Sequence, residues 1–351
     1  MAVYITGCLF TLLTSHIFNR IKHNRDTALR NVIIALLSAF PLIYIASIRY
    51  NVGQDYFTYV NLFKRIANGT NTYPVEPLYL WMNKIVAFLH GDYPWVFALS
   101  AVIFSVFTFL CIKNDSPYYC LSVFLLVTTG YYFAFFNAMR QFIGCAILLW
   151  GIHYALERRK IPFIITFLIA TGFHTSSILF FPVYFLVNRK LNRRLIICIA
   201  VFVFALSRPI STLLIRVLSF TRYAYYIGGR FDTDSQGFVT LAINIAIFIF
   251  TTLYYDDQDE RFKLYYNIQA ISLCLSAFVG QVVLIHRVRW MYGLPGIILI
   301  PQAISKIEDK RVRTLVSCTV VVLYAIYFYI IIGINNSNNV LPYDTIFNNG
   351  F

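Results

Sequence analysis

Between Pro117 and Leu156, forty residues carry a single charge, Arg140. A soluble domain has no way to bury many such stretches. A bilayer requires them, since about 20 apolar residues cross a hydrocarbon core ~30 Å thick. Comparable runs recur along all 351 residues, of which 59% are hydrophobic, 18% aromatic and 13% charged, far from the balance of soluble chains. The chain therefore reads as an all-α polytopic membrane protein forming one integral domain, residues 1–351. Its first run begins at Ala2 with no basic stretch ahead of it and no A-x-A-like cleavage site behind it, which marks a retained span and not a signal peptide. A lone guanidinium in such a protein is either a turn residue at the membrane surface or a working group, and the topology decides between them.

The charge distribution supplies that topology. The net charge is +14, and basic clusters fall at Arg20–Arg30, Arg158–Lys160, Arg189–Arg194 and Lys306–Arg313. Positive charge is retained on the cytoplasmic side, and the mixed segment 256–263 shares that side if spans alternate. Spans are then expected at about 3–19, 31–48, 95–112, 118–136, 139–156, 160–173, 176–187, 194–207, 238–255, 264–285, 288–304 and 314–333. These are about twelve transmembrane helices, with both termini outside. Residues 49–94 must begin and end outside. Within them, 76–90 is too short for a comfortable span and carries Glu76 and Lys84, so an amphipathic or re-entrant helix on the outer face is expected there. Of the 29 Lys and Arg residues, eleven face outward: Arg49, Lys64, Arg65, Lys84, Arg140, Arg208, Arg216, Arg222, Arg230, Arg287 and Arg289. Nine of these are Arg, against the topological bias. Gripping phosphate oxygens through a planar, two-pronged guanidinium is the obvious use for them.

Four segments gather on that outer boundary. In "SIRYNVGQDYFTY", Arg49 ends the second span, and Gly53 and Asp55 follow. Arg49 reads as an anion ligand or as an Arg snorkelling to the interface; Asp55 reads as a base, a hydroxyl acceptor or a solvated turn residue. In "FNAMRQ", Asn137 is expected to cap a helix from Ala138, with Arg140 and Gln141 in its first turn. A helix N-terminus already favours anions, so this makes a phosphate-sized site, or else a hairpin-turn Arg bonded to carbonyls or headgroups. In "TGFHTSSILFFP", His174 divides the apolar stretch 161–187 into two pieces too short to span easily. The turn is expected to dip below the surface, with Thr175 or Ser176 capping the returning helix and His174 as general base, phosphate donor or structural His. In "IHRVRWMYGLP", Arg289 begins a descending span, whereas Arg287 also suits a headgroup-facing place.

Other chemistries lose support. The seven cysteines lie in or at the ends of apolar runs with no C-x-x-C, as small hydrophobes do. No P-loop, G-x-G-x-x-G, H-E-x-x-H or EF-hand pattern is present, which argues against nucleotide-driven transport and zinc hydrolysis. Asp232 and Asp234 form a D-x-D pair, but two acids so spaced are common in polar loops, and no metal, cofactor or nucleic-acid partner is expected.

Together these stretches resemble the EpsG/Wzy family of bacterial polysaccharide polymerases. The likeness runs through R-Y-x-x-G-x-D and a following Tyr (Arg49, Tyr50, Gly53, Asp55, Tyr59), E-P-x-Y (Glu76, Pro77, Tyr79), N-x-x-R-Q (Asn137, Arg140, Gln141) and G-F-H-x-S (Gly172, Phe173, His174, Ser176). It continues through Arg289 with Trp290, Tyr292 and Pro295 and ends in "LPYDTIF"; 207–237 matches least. The resemblance implies a GT-C-like helical glycosyltransferase of the bacterial cytoplasmic (inner) membrane. Its active site would face the periplasm or cell exterior, built with the outer loops 49–94 and 207–237. It would polymerise undecaprenyl-diphosphate-linked oligosaccharide units into a growing polysaccharide, in company with a flippase and a chain-length regulator. Catalytic roles then fall to His174, Asp55, Arg140 and Arg289, and substrate binding to Arg49, Gln141, Asn137, Glu76, Arg287 and Tyr59. Outer-loop aromatics, Tyr50, Tyr56, Tyr73 and Trp81 among them, would stack on sugar rings or simply sit at the interface. A lipid-linked oligosaccharide flippase and an O-antigen-ligase-like transferase use similar ligands and stay open as alternatives.

Overall fold

The computed structural model describes residues 1–20, 27–187, 189, 192–221, 224, 227 and 237–348. Arg222, Arg230, Asp232 and Asp234 lie outside the described residues. Among those described, the regular structure is helical, apart from one isolated β-bridge between Arg49 and Thr345. The chain divides into two compact units, Met1–Ile178 with Asp309–Phe351, and Leu179–Glu308.

The first unit opens with α1 (Ala2–Arg20), α2 (Ala28–Ser47), α3 (Tyr56–Ala67), α4 (Pro77–Phe88) and α5 (Tyr93–Asp115). It continues through α6 (Tyr119–Thr128), α7 (Tyr131–Asn137), α8 (Met139–Leu156) and α9 (Lys160–Phe173). α2 packs on α1 and α5, and α8 on α5 and α9. Its polarity is that of a lipid-facing bundle. Leu9, Phe10 and Leu13 of α1 and Leu37 and Phe40 of α2 are exposed, while Ser38, Ser100, Ser105 and Thr108 are buried. Lipid tails accept the apolar side chains, and the buried Thr108 hydroxyl turns back on the Phe104 carbonyl at 2.7 Å.

Several expected spans are present but shaped differently. The run 118–136 is bent by 48° between α6 and α7, because Gly130 takes the left-handed conformation (φ 88°) that other residues resist. The loop 49–94 holds two short helices. α4 is the expected one over 76–90, with Trp81, Ile85 and Phe88 exposed and Tyr79, Met82 and Val86 buried; α3 was not anticipated. At 14 residues α9 is about 21 Å long, short of the hydrocarbon thickness. It ends at His174 and is followed by a 3-10 turn, Thr175–Phe180. Thr175 and Ser176 therefore sit inside that turn and cap no returning helix. Pro182, which cannot continue a hydrogen-bonded ladder, restarts the chain as a single helical turn.

That turn, α10 (Val183–Leu186), belongs to the second unit, with α11 (Arg193–Ala205), α12 (Ser207–Leu218), α13 (Gly237–Leu253), α14 (Glu260–Ser276), α15 (Ile285–Gly293) and α16 (Gly296–Ser305). α12 turns 68° from α11, so the expected loop after 207 begins as a helix. The expected span 288–304 is two helices parted at Leu294 and Pro295. Inside this unit Asn244 accepts hydrogen bonds from Gln269 (3.0 Å) and Ser272 (2.9 Å). Lys306 clasps Asp256 and Asp259 at 2.7 and 2.8 Å.

The chain rejoins the first unit in α17 (Lys310–Phe328), capped by Asp309 and extended by a π-helical turn to Ile334. α2, α5 and the Lys310–Ile334 helix are each long and apolar enough to cross a membrane alone, as the two bent pairs are when each is taken as one span. Beyond Ile334 the Asn-rich tail folds back as a strap. Gly53 N donates to Asn339 O (2.8 Å), Tyr50 N to Asp344 O (2.9 Å) and Ile346 N to Ile48 O (2.9 Å). Tyr4 reaches Val340 O at 2.7 Å, and Tyr343 reaches Ile45 O at 2.9 Å.

Candidate active site

Pro77 opens α4 in the first-turn position where its missing N–H costs nothing. That places Glu76 at the cap, yet its carboxylate does not cap α4. It is held instead between two side chains of the same unit. Oε2 pairs with Arg140 Nη1 at 2.5 Å, and Oε1 lies 3.0 Å from His174 Nδ1. The Thr175 amide also points at Oε1, at 3.5 Å. The three side chains are 14% (Glu76), 30% (Arg140) and 19% (His174) exposed, so the cluster is recessed but open to a ligand.

Local structure explains each position. The chain breaks at Ala138 (φ −123°, ψ 51°) between α7 and α8, which puts Arg140 in the first turn of α8. Asn137 is not the cap of α8 as expected. α7 runs on through Asn137, Ala138 takes the cap position, and the Asn137 amide donates to Asn338 O at 3.0 Å. The tail competes successfully for that side chain. His174 leaves α9 in extended conformation (φ −155°, ψ 118°), which carries its ring across to Glu76.

The electrostatics assign the protons. Burial alone would raise the Glu76 carboxyl, but the His174 hydrogen bond and the Arg140 charge outweigh it and hold the pKa at about 2. Glu76 is thus a carboxylate near neutrality and only accepts. His174 Nδ1 must then donate to it, leaving Nε2 as the nitrogen available to a substrate. Arg140 lies 5.8 Å from the ring centre of Tyr79, which is buried. Tyr59 is a further side-chain partner of Arg140 and donates to Asn137 O at 3.3 Å. Asp55 starts α3 one turn before Tyr59. Its turn is closed by Gly53 (φ 98°), where an added Cβ would sit 2.8 Å from Asn137 Oδ1.

Arg49 does not snorkel to the surface. It is wholly buried (0% exposed), with its guanidinium 4.7 Å from the Phe97 ring centre and 4.3 Å from that of Phe136. Nη2 donates to Phe136 O and reaches Met139 Sδ, each at 3.3 Å. Burial lowers its pKa to about 10, partly offset by surrounding tyrosines, so it keeps its charge. The tail seals it: Thr345 pairs with its backbone. Gln141 is likewise buried, at 2% exposed. Arg287 and Arg289 belong to α15 of the other unit, where the His286 ring meets Trp290 edge-on at 5.0 Å. Among the described residues, no three His, Cys, Asp or Glu side chains group to hold a metal.

Sequence reasoning missed the strap of residues 336–348 as part of this site. Its signal was present in the Asn-rich tract, whose Asn336 side chain binds Val340 N, Leu341 N and Leu341 O and so folds the tail on itself.

The first unit is thus an apolar-surfaced helical bundle that holds a recessed Glu–Arg–His cluster. The sequence profile of the EpsG family matches residues 32–345, and the chain belongs to that family, a polysaccharide-polymerase family. No curated protein and no solved structure matches it.

Proposed function

We propose that this protein polymerises undecaprenyl-diphosphate-linked oligosaccharide units on the outer side of the bacterial cytoplasmic membrane. The twelve-crossing topology, GT-C-like in kind, is part of that reading, as is a single integral domain. The observation that carries it is the Glu76 carboxylate shared between Arg140 and His174.

In the reaction an acceptor sugar hydroxyl attacks the anomeric carbon of the donor chain, and the bond from that carbon to the lipid diphosphate breaks. His174 Nε2 accepts the hydroxyl proton, while Glu76 orients the ring and stabilises the imidazolium that forms. Arg140 meets the charge that develops on the departing diphosphate, already in position before it forms. Asp55 and Tyr59 orient the acceptor hydroxyl. Arg49, Asn137 and Gln141 support the site from beneath as packed groups. The energy is that of the lipid-diphosphate bond, in keeping with a chain that carries no nucleotide motif. A flippase that supplies the units and a chain-length regulator are the expected partners.

The test is a deletion strain complemented with wild type or Arg140→Ala, its surface glycan sized on a gel. Glycans of a single repeat unit are expected from the variant. Full-length polymer in the deletion strain refutes the polymerase reading, and loss of all outward-facing lipid-linked units identifies a flippase instead.

A further inference from the structure

Glu76, Arg140 and His174 come from three different helices, α4, α8 and the end of α9, so something must set the spacing between them. In a membrane bundle no hydrophobic drive compresses helices, and the closest approach of small residues fixes how near they come. Two glycines stand at those approaches, each beside a member of the cluster.

Gly144 lies one turn beyond Arg140 on α8. A Cβ added there would sit 2.6 Å from Ser177 Oγ, 3.3 Å from Ala170 O and 3.8 Å from His174 Cβ. Ser177 cannot easily yield. It is 1% exposed, its Oγ donates to Ala170 O at 3.3 Å, and its amide donates to His174 O at 3.0 Å. Displacing Ser177 therefore drags the backbone of the His174 turn.

Gly172 lies two residues before His174. A Cβ there would sit 2.7 Å from Leu78 Cδ1 and 2.8 Å from its Cγ. Leu78 is two residues past Glu76, in the first turn of α4. Its Cγ moves only by turning χ1 or by shifting the helix that carries Glu76. Both approaches fall roughly 1 Å short of a normal contact.

We propose that Gly144 and Gly172 are positioning residues for the polymerase reaction, two notches that set the distances at which Glu76 meets Arg140 and His174. The inference rests on the functional reading above and adds to it the elements that hold the site in register. Gly151 serves as a control from the same α8–α9 interface. Its added Cβ would meet Thr166 Cγ2 at 3.1 Å, about three turns along the helix from Arg140.

The experiment uses full-length protein in detergent, assayed on lipid-linked repeat units extracted from the deletion strain. A displacement of about 1 Å at reacting groups costs on the order of 100-fold in rate. Gly144→Ala and Gly172→Ala should therefore lower kcat by about 100-fold with KM within about threefold, and Gly151→Ala should stay within about threefold of wild type. The partner truncations are the decisive arm. Leu78→Ala removes both atoms nearest the Gly172 notch and leaves Leu78 Cβ at 3.6 Å; Ser177→Ala removes the nearest atom at Gly144. Gly172→Ala/Leu78→Ala and Gly144→Ala/Ser177→Ala should each recover to within about tenfold of wild type, which a general loss of stability would not produce.

Wild-type kcat in both glycine variants overturns the inference. So does a double variant that elutes and melts like wild type yet stays as slow as its parent. Should Gly144→Ala fail to fold, the Leu78–Gly172 pair decides alone. Glu76→Gln separates the two levels. If it is inactive while the glycine variants are normal, only the notches are refuted; if it polymerises normally, the site and the notches fall together.

Discussion

Glu76→Gln is the sharpest perturbation of the site, because it keeps the shape of the side chain and removes only the charge that Arg140 and His174 share. Holding the carboxyl at about 2 against an ordinary 4.5 corresponds to about 3 kcal/mol of preference for the ionised form in the folded protein. The folded pKa is the depressed one. The stabilisation is therefore complete above about pH 4.5 and is lost as pH falls from there through about 2. The group is only 14% exposed, so solvent screens little of it. At neutral pH, Glu76→Gln should lose stability of that order, with Arg140 left without its carboxylate. Its unfolding should no longer depend on pH across the 2–4.5 window in the way the wild type's does. The cost to chemistry is larger. An amide can present its N–H₂ to His174 Nδ1 and favour the wrong tautomer, and in a triad an equivalent change of the orienting carboxylate costs about 10⁴-fold. Polymerisation should fall by 10²- to 10⁴-fold, on the order seen for such orienting groups, while lipid-linked substrate still binds. The assay pairs thermal unfolding in detergent over a pH series with gel sizing of polymer made from extracted lipid-linked units. Wild-type polymer from a folded Glu76→Gln protein would show that the shared carboxylate is a structural ion pair and that the proton assignment is wrong.

Two further predictions concern the layer beneath the cluster. Gly53→Ala places a side chain at φ 98° and a methyl 2.8 Å from Asn137 Oδ1, which should destabilise the protein by about 1–3 kcal/mol; an unchanged melting temperature refutes the tight-turn reading. Truncation after Ile334 removes the partners of Tyr4, Tyr50, Gly53 and Asn137 and uncovers Arg49. At about 1 kcal/mol for each net hydrogen bond, it should cost several kcal/mol and abolish polymerisation although all three cluster residues remain. Full-length glycan from the truncated chain, sized in the complemented strain, refutes the strap.

What the sequence made legible was what is local. Apolar runs marked where helices lie, and charge marked Arg140, His174 and Glu76 as residues out of keeping with their surroundings. Each of these is a property of a short window. Gly130 and Pro295 were in plain view as well, and the breaks at α6–α7 and between α15 and α16 follow from them; reading hydropathy alone smooths over such residues. What could not be read was which odd residue answers which. Glu76 meets Arg140 across 64 positions and His174 across 98. No periodicity spans such separations. Arg49 shows the consequence most clearly. By local logic, an Arg at the end of a span faces water or headgroups, and that logic is sound until another segment covers it. Here the covering segment is the tail, whose Tyr343 binds Ile45 from 298 positions away. A buried cation stacked between Phe97 and Phe136, with Phe136 and Met139 at the α7–α8 break as its partners, cannot serve as a surface phosphate ligand. It can hold the start of α8, and therefore Arg140, in place. The Arg49 that the motif would assign to substrate is thus enclosed by its own chain, and the Glu76 carboxylate that the motif treats as one ligand among several is the group that Arg140 and His174 share.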